Sequence, residues 1–227
     1  MKRLLKGLKL WAAAGVLAMV SPLSFATIST MGCSGVDFCS FNDFAGGGSI
    51  TVDGVTVSGA SLDFEAGAYA GLDQDALVIV GIDTGPNAGF LFGSSSLELD
   101  LFGFDSGDLD FIFDVMVAAG SNIVGFGLQN AIFTADGDWF SFASLDDGFD
   151  FVSVLEDQDG GNDSDFIGIA GASMLTMTAS LSNFADDGSV LLYDGFVMSF
   201  ATADIPEPAI LALMMLGLAG IAASRRK

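Results

Sequence analysis

The chain has no histidine, and its seven lysines and arginines all lie at its two ends. Lys2, Arg3, Lys6 and Lys9 open the sequence, and Arg225, Arg226 and Lys227 close it. Between Thr27 and Asp204 there is no basic side chain, whereas every one of the 29 acidic residues except Glu207 falls there. A nucleic-acid partner is excluded, because phosphates need cations to neutralise them. Chemistry that depends on a histidine base, a lysine nucleophile or an arginine clamp is excluded as well. Cysteine is also scarce. Cys33 and Cys39 are the only thiols, too few without histidine to hold zinc and not spaced as a Cys-x-x-Cys redox pair. In an oxidising compartment they are expected to bridge, for a gain of about 2 to 3 kcal/mol at most because the loop is short.

Long apolar runs occur only at the termini. Basic residues 1–9, an apolar run from Leu10 to Val20 and the small residues Ser24 and Ala26 form a secretory signal with cleavage expected after Ala26. The run falls short of the roughly 20 residues that a spanning helix needs. At the other end Pro206-Glu207-Pro208 stops the preceding segment, since proline restricts itself and its predecessor. Ala209 to Ser224 then carries no charge, and Arg225-Arg226-Lys227 would stay on the cytoplasmic side of a membrane. Three segments follow: a signal peptide over 1–26, an acidic domain over 27–204 and a sorting segment over 205–227, with its Pro-Glu-Pro, transmembrane helix and basic tail.

This tail resembles the PEP-CTERM sorting signal of Gram-negative bacteria, through Ile205-Pro206-Glu207-Pro208, the Leu/Gly/Ala-rich span and the Arg-Arg-Lys end. Ile205 stands where valine is commoner. The same kind of tail is also known as an ice-binding-protein C-terminal segment, a label without bearing on ice here. The resemblance implies recognition by an exosortase at the membrane, transient anchoring by the C-terminal helix, and release to the cell surface or medium. It also implies a setting of exopolysaccharide and biofilm.

Residues 27–204 read as strands. Leu109, Phe111, Phe113, Val115 and Val117 alternate with Asp108, Asp110 and Asp114, the mark of a strand with one buried and one wet face. Leu97–Leu101 and Leu175–Ser182 repeat the pattern, and Thr51–Val57 carries Asp53-Gly54, the pair favoured in tight hairpins. Short apolar runs recur at 76–82, 88–92, 123–126, 139–143, 149–155, 166–170 and 190–200, separated by turn formers. One all-β domain is expected, an antiparallel β-sandwich or jelly roll. Phenylalanine at alternate strand positions reads as core. Trp139 and Tyr193 are the aromatic residues best suited to stack on a sugar ring, although the run Trp139-Phe140-Ser141-Phe142 predicts burial for Trp139.

The densest polar stretch, Glu156 to Asp165, alternates Asp with Gly and Asn, the hard oxygen ligands that calcium takes. Asp157 and Asp159 fit the first two ligand positions of an EF-hand. Asn162 then stands where its glycine belongs and Gly168 where its glutamate belongs, so that motif fails. A single turn of the calcium-binding nonapeptide repeat starts at Gly160, with no second copy to share an ion. An isolated calcium site from Asp157, Asp159, Asp163 and Asp165 is the remaining expectation. Carboxylate pairs for glycoside hydrolysis are available almost at will, and none stands out. The reading is therefore a non-enzymatic surface or matrix protein, structural or adhesive, with anionic extracellular polysaccharide as partner. The alternatives are a calcium-dependent glycan-binding module and, behind it, an acid-only glycosidase.

Overall fold

The computed structural model describes residues 27–96 and 99–205. The expected signal peptide, the sorting motif Pro206, Glu207 and Pro208, and the C-terminal helix lie outside these residues. Among the described residues no helix is long and apolar enough to cross a membrane.

Two antiparallel sheets pack face to face. In chain order the strands are β1 (Ile28–Met31), β2 (Phe38–Ser40), β3 (Ser49–Val52), β4 (Val55–Gly67), β5 (Leu77–Asp83), β6 (Ala88–Ser94), β7 (Leu101–Phe102) and β8 (Asp105–Val117). They continue as β9 (Ser121–Asp136), β10 (Trp139–Asp146), β11 (Phe151–Asp157), β12 (Ser164–Ala172), β13 (Met174–Ala185) and β14 (Val190–Asp204). Sheet 1 runs β1-β3-β4-β8-β13-β10-β11; sheet 2 runs β12-β9-β14-β6-β5-β2, with β7 added beside β14. From β8 onward the chain passes repeatedly between the sheets, so that long β8 and β13 pair in one and long β9 and β14 in the other. The expected all-β sandwich is the observed one.

Local chemistry explains the elements. Asp53 and Gly54 both take positive φ, 49° and 82°, which closes the β3–β4 hairpin with the twist that strands prefer. The expected strand at 97–101 is reduced to Leu101 at the start of β7, and Leu97 and Glu98 lie outside the described residues. One helical turn was not legible in the periodicity: α1 (Phe41–Ala45). Ser40 caps it by accepting from the Asp43 amide, and Asp43 accepts from the Ser40 amide at 2.9 Å, a reciprocal capping box. The Asp43 carboxylate also takes the Ser34 amide and hydroxyl at 3.0 and 2.8 Å, which ties the loop closed by the Cys33–Cys39 disulfide to the helix. Partial burial alone would raise the Asp43 pKa; the hydrogen bonds from Ser34 and Ser40 outweigh it and hold it below the usual value.

The core is a phenylalanine stack between the sheets. Phe92 of β6 lies on Phe111 of β8 at 4.5 Å between centroids, and Phe196 of β14 follows Phe92 at 5.0 Å. Phe41 of α1 meets Phe111 edge-on at 5.3 Å, so the helical turn plugs the stack. Such ring pairs each add about 0.5 to 1.5 kcal/mol beyond their buried area.

Two expectations about side-chain direction are corrected. Tyr193 is no platform: it is buried in the core and its hydroxyl donates to Asn130 Oδ1 at 3.0 Å. In β10 the inward phase is that of Trp139, and the reading of phenylalanine as core fails. Ser141 is fully buried, while Phe140 and Phe142 turn outward. The longer strand decides this, because Ala143 and Leu145 share the phase of Ser141 and meet Leu181 and Ala179 of β13 inside the core. Trp139 packs against the core edge, partly buried.

Candidate functional site

With no cation to pair with, the carboxylates of sheet 1 are compensated by hydroxyls. Asp108, Asp110 and Asp114 point outward from β8, and opposite them on β13 stand Ser182, Ser180 and Thr176. The Thr176 hydroxyl donates to Asp114 at 2.7 Å, and the Ser182 hydroxyl donates to Asp108. At exposed positions such bonds are worth about 1 kcal/mol each, so this hydroxyl row offsets part of the repulsion that a carboxylate row creates.

The same outward row of β13 runs Thr176, Thr178, Ser180, Ser182 and then Phe184. Phe184 lies opposite Phe140 of β10 and stacks on it at 5.6 Å with planes 19° apart. Phe104, in the turn before β8, meets Phe184 edge-on at 5.7 Å and is 74% exposed. Phe142 and exposed Leu155 are cross-strand partners one row further along. An exposed aromatic strip therefore adjoins the carboxylate row on one face. Reading phenylalanine as core missed it. The available signal was the phase of Phe184, which continues the polar positions of β13.

The four expected calcium ligands are not brought together. Asp157 ends β11, where its carboxylate accepts the Asp159 amide at 2.9 Å in a local turn. Asp163 uses its backbone carbonyl to accept the Asn130 amide. Asp165 opens β12, its carboxylate accepting the amides of Phe166 at 2.9 Å and Ser153 at 3.3 Å. Among the described residues no three Asp, Glu, Cys or His side chains group as a metal site. The hydrogen bonds that Asp157 and Asp165 accept hold the chain between β11 and β12 in its local turns. The expected bridge between Cys33 and Cys39 is present.

The outer face of sheet 2 differs. An open groove of about 430 Å³ is bordered by Thr84, Asn87, Gln129, Asp165, Phe166 and Ser199. Its floor is made low by glycine: a Cβ on Gly127 would lie 2.6 Å from the Phe166 ring and 2.9 Å from the Asp165 carbonyl. Phe166 thus lies flat over Gly125 and Gly127 as one wall of the groove.

Residues 204–227 match the PEP-CTERM protein-sorting motif. The chain carries this sorting signal, which implies export, sorting at the membrane and exosortase processing. No curated protein matches the chain significantly. Among solved structures, TmCBM61 in complex with β-1,4-galactotriose is 17% identical, with 60% of this chain and 86% of that one covered and a TM-score of 0.27. A carbohydrate-binding module from the β-sandwich superfamily is 10% identical over 68% of this chain and 58% of its own, with a TM-score of 0.24. The enzymatically active domain of tailspike protein 4 of bacteriophage CBA120 is 14% identical over 64% and 19%, with a TM-score of 0.22. Likeness at this level carries no argument about ligand.

Proposed function

We propose that this chain, exported and sorted through its PEP-CTERM tail, is a non-catalytic adhesive protein of an extracellular polysaccharide matrix. The observation that carries the reading is the outer face of sheet 1, where the Phe104, Phe184 and Phe140 strip adjoins a row of carboxylates with hydroxyl but no cationic partners. An exposed apolar patch rimmed by polar groups marks an interaction surface. Flat ring faces take the C–H faces of sugars, and carboxylates and hydroxyls accept and donate to sugar hydroxyls. With no basic residue between Thr27 and Asp204, an anionic polymer is reached through shared cations, calcium among them, gathered diffusely along the face.

Co-sedimentation of the mature protein with the host's extracellular polysaccharide, in calcium and then in chelator, tests this reading. Capture in calcium that drops at least several-fold in a Phe140→Ser, Phe184→Ser double variant is the expected result. No capture in either condition, or capture indifferent to the double variant, refutes it. The groove on sheet 2 favours a second reading, a discrete glycan-binding module, because Phe166 stands there among Asn87, Gln129 and Asp165. Loss of capture in Phe166→Ala, with the sheet 1 variant still binding, would select it.

A further inference from the structure

The inner face of sheet 1 is apolar except along one row. Glu156 of β11 is opposite Ser141 of β10, Ser141 is opposite Asn183 of β13, and Asn183 is opposite Gly107 of β8. Gly107 has no side chain because the Tyr69 ring occupies the space: a Cβ there would lie 2.6 Å from it. From sheet 2, Tyr193 and Asn130 are buried in the same core. Tyr69 and Tyr193 are the only two tyrosines of the chain, and both are in this row or facing it.

The hydrogen bonds of this cluster do not close. Asn183 Nδ2 donates to the Tyr69 hydroxyl at 2.7 Å, which donates on to the Leu99 carbonyl at 2.9 Å. The Tyr193 hydroxyl donates to Asn130 Oδ1 at 3.0 Å. Among the described residues Asn183 Oδ1, Asn130 Nδ2 and the Ser141 hydroxyl have no partner, although these residues are 1%, 8% and 0% exposed. Turning either amide over exchanges which of its atoms is orphaned without removing the orphan. Burial pushes both tyrosine pKa values far up, so both hydroxyls stay protonated donors. The Ser141 hydroxyl faces Tyr193 and offsets a small part of that rise.

One donor, one acceptor and one hydroxyl left over in one buried cluster are the complement of water, which donates twice and accepts twice. Buried waters typically make about three hydrogen bonds to polar groups that are otherwise unsatisfied. We infer that the core space among Asn130, Ser141 and Asn183 is a binding site for ordered water. The water accepts from Asn130 Nδ2, donates to Asn183 Oδ1 and completes the Ser141 hydroxyl, joining the two tyrosine pairs into one network across the sheets.

A crystal structure of the mature protein at about 1.5 Å tests the site, with a density peak within hydrogen-bonding distance of at least two of the three atoms expected. Finding all three atoms paired with protein groups and no peak overturns it. Thermal unfolding of Ser141→Ala reads the same point by sign. A water that uses the hydroxyl makes the variant melt lower, by about 2 to 4 °C for a chain of this size. If the hydroxyl is simply orphaned, its removal leaves the midpoint unchanged or raises it, and the inference fails.

Discussion

The two outer faces of the sandwich solve opposite problems. On sheet 1 the outward row of β8 is charged and is laid beside the hydroxyl row of β13, Asp108 and Asp114 against Ser182 and Thr176. On sheet 2 the outward positions are Val78, Val80 and Ile82 of β5, Gly89 and Leu91 of β6, Val197 and Ser199 of β14, and Gly125 and Gly127 of β9. The first face is held by donors and governed by ions in solution. The second is held by the fit of small residues beneath larger ones. The two faces are thus stabilised in different ways, and substitutions of the same kind should have unlike effects on them.

The largest difference is expected at a glycine. Gly127→Val places atoms against the Phe166 ring and the Asp165 carbonyl, and the denaturation midpoint should record a loss of about 2 to 3 kcal/mol. Ser180→Val, also outward but on sheet 1, should stay within about 0.5 kcal/mol. Equal costs at the two positions would break the contrast. Next in size is Thr176→Val, which takes the donor from Asp114 and should cost about 1 kcal/mol in the same assay.

Ionic strength sharpens the comparison further. Asp110→Asn thins the carboxylate row and should stabilise by a few tenths of a kcal/mol at low salt, fading toward zero near 1 M sodium chloride, where charges are screened within about 3 Å. A gain that persists in high salt would assign the effect to packing. The smallest effect concerns Asp100, a carboxylate that accepts the Tyr193 amide of β14 at 2.9 Å. Burial raises its pKa, with Asp194 adding to the shift. Its ionised form is therefore disfavoured by folding, and Asp100→Asn should melt slightly higher than the native chain at neutral pH. That advantage should close as pH falls through the folded-state pKa of Asp100, where the native residue gains its proton; a gap that does not narrow would remove burial as the cause.

Much of this architecture was legible from residue order. The alternation at Leu109–Val117 and the Asp53-Gly54 pair report local rules, and both hold in β8 and in the β3–β4 hairpin. The Cys33–Cys39 bridge was legible from the short spacing together with the export signal. What failed was information held by the neighbouring strand. In Trp139-Phe140-Ser141-Phe142 the phenylalanines read as core, yet β10 follows the phase of Trp139, Ala143 and Leu145, which places Phe140 on the surface and Ser141 in the core. Helix α1 is too short for periodicity to register, although Ser40-x-x-Asp43 is a capping-box signature. The acidic loop from Asp157 to Asp165 has the composition of a metal site, and composition does not report where the flanking strands point its oxygens. The aromatic strip needed the β10–β13 register, which no single strand contains.

The last described strand has a mechanical consequence. β14 lies between β9 and β6 in the interior of sheet 2, and it remains paired up to Asp204, whose carboxylate accepts the Ser121 hydroxyl while the Ile205 amide donates to the Gly120 carbonyl. The sorting motif begins at that same point. A pull transmitted through the tail is therefore delivered along an interior strand, in shear, and must rupture many hydrogen bonds together instead of unzipping them singly from an edge. Resistance to such a load is set by the unfolding rate rather than by equilibrium stability. A domain held at the end of β14 would resist a steady pull better than one held at an edge strand.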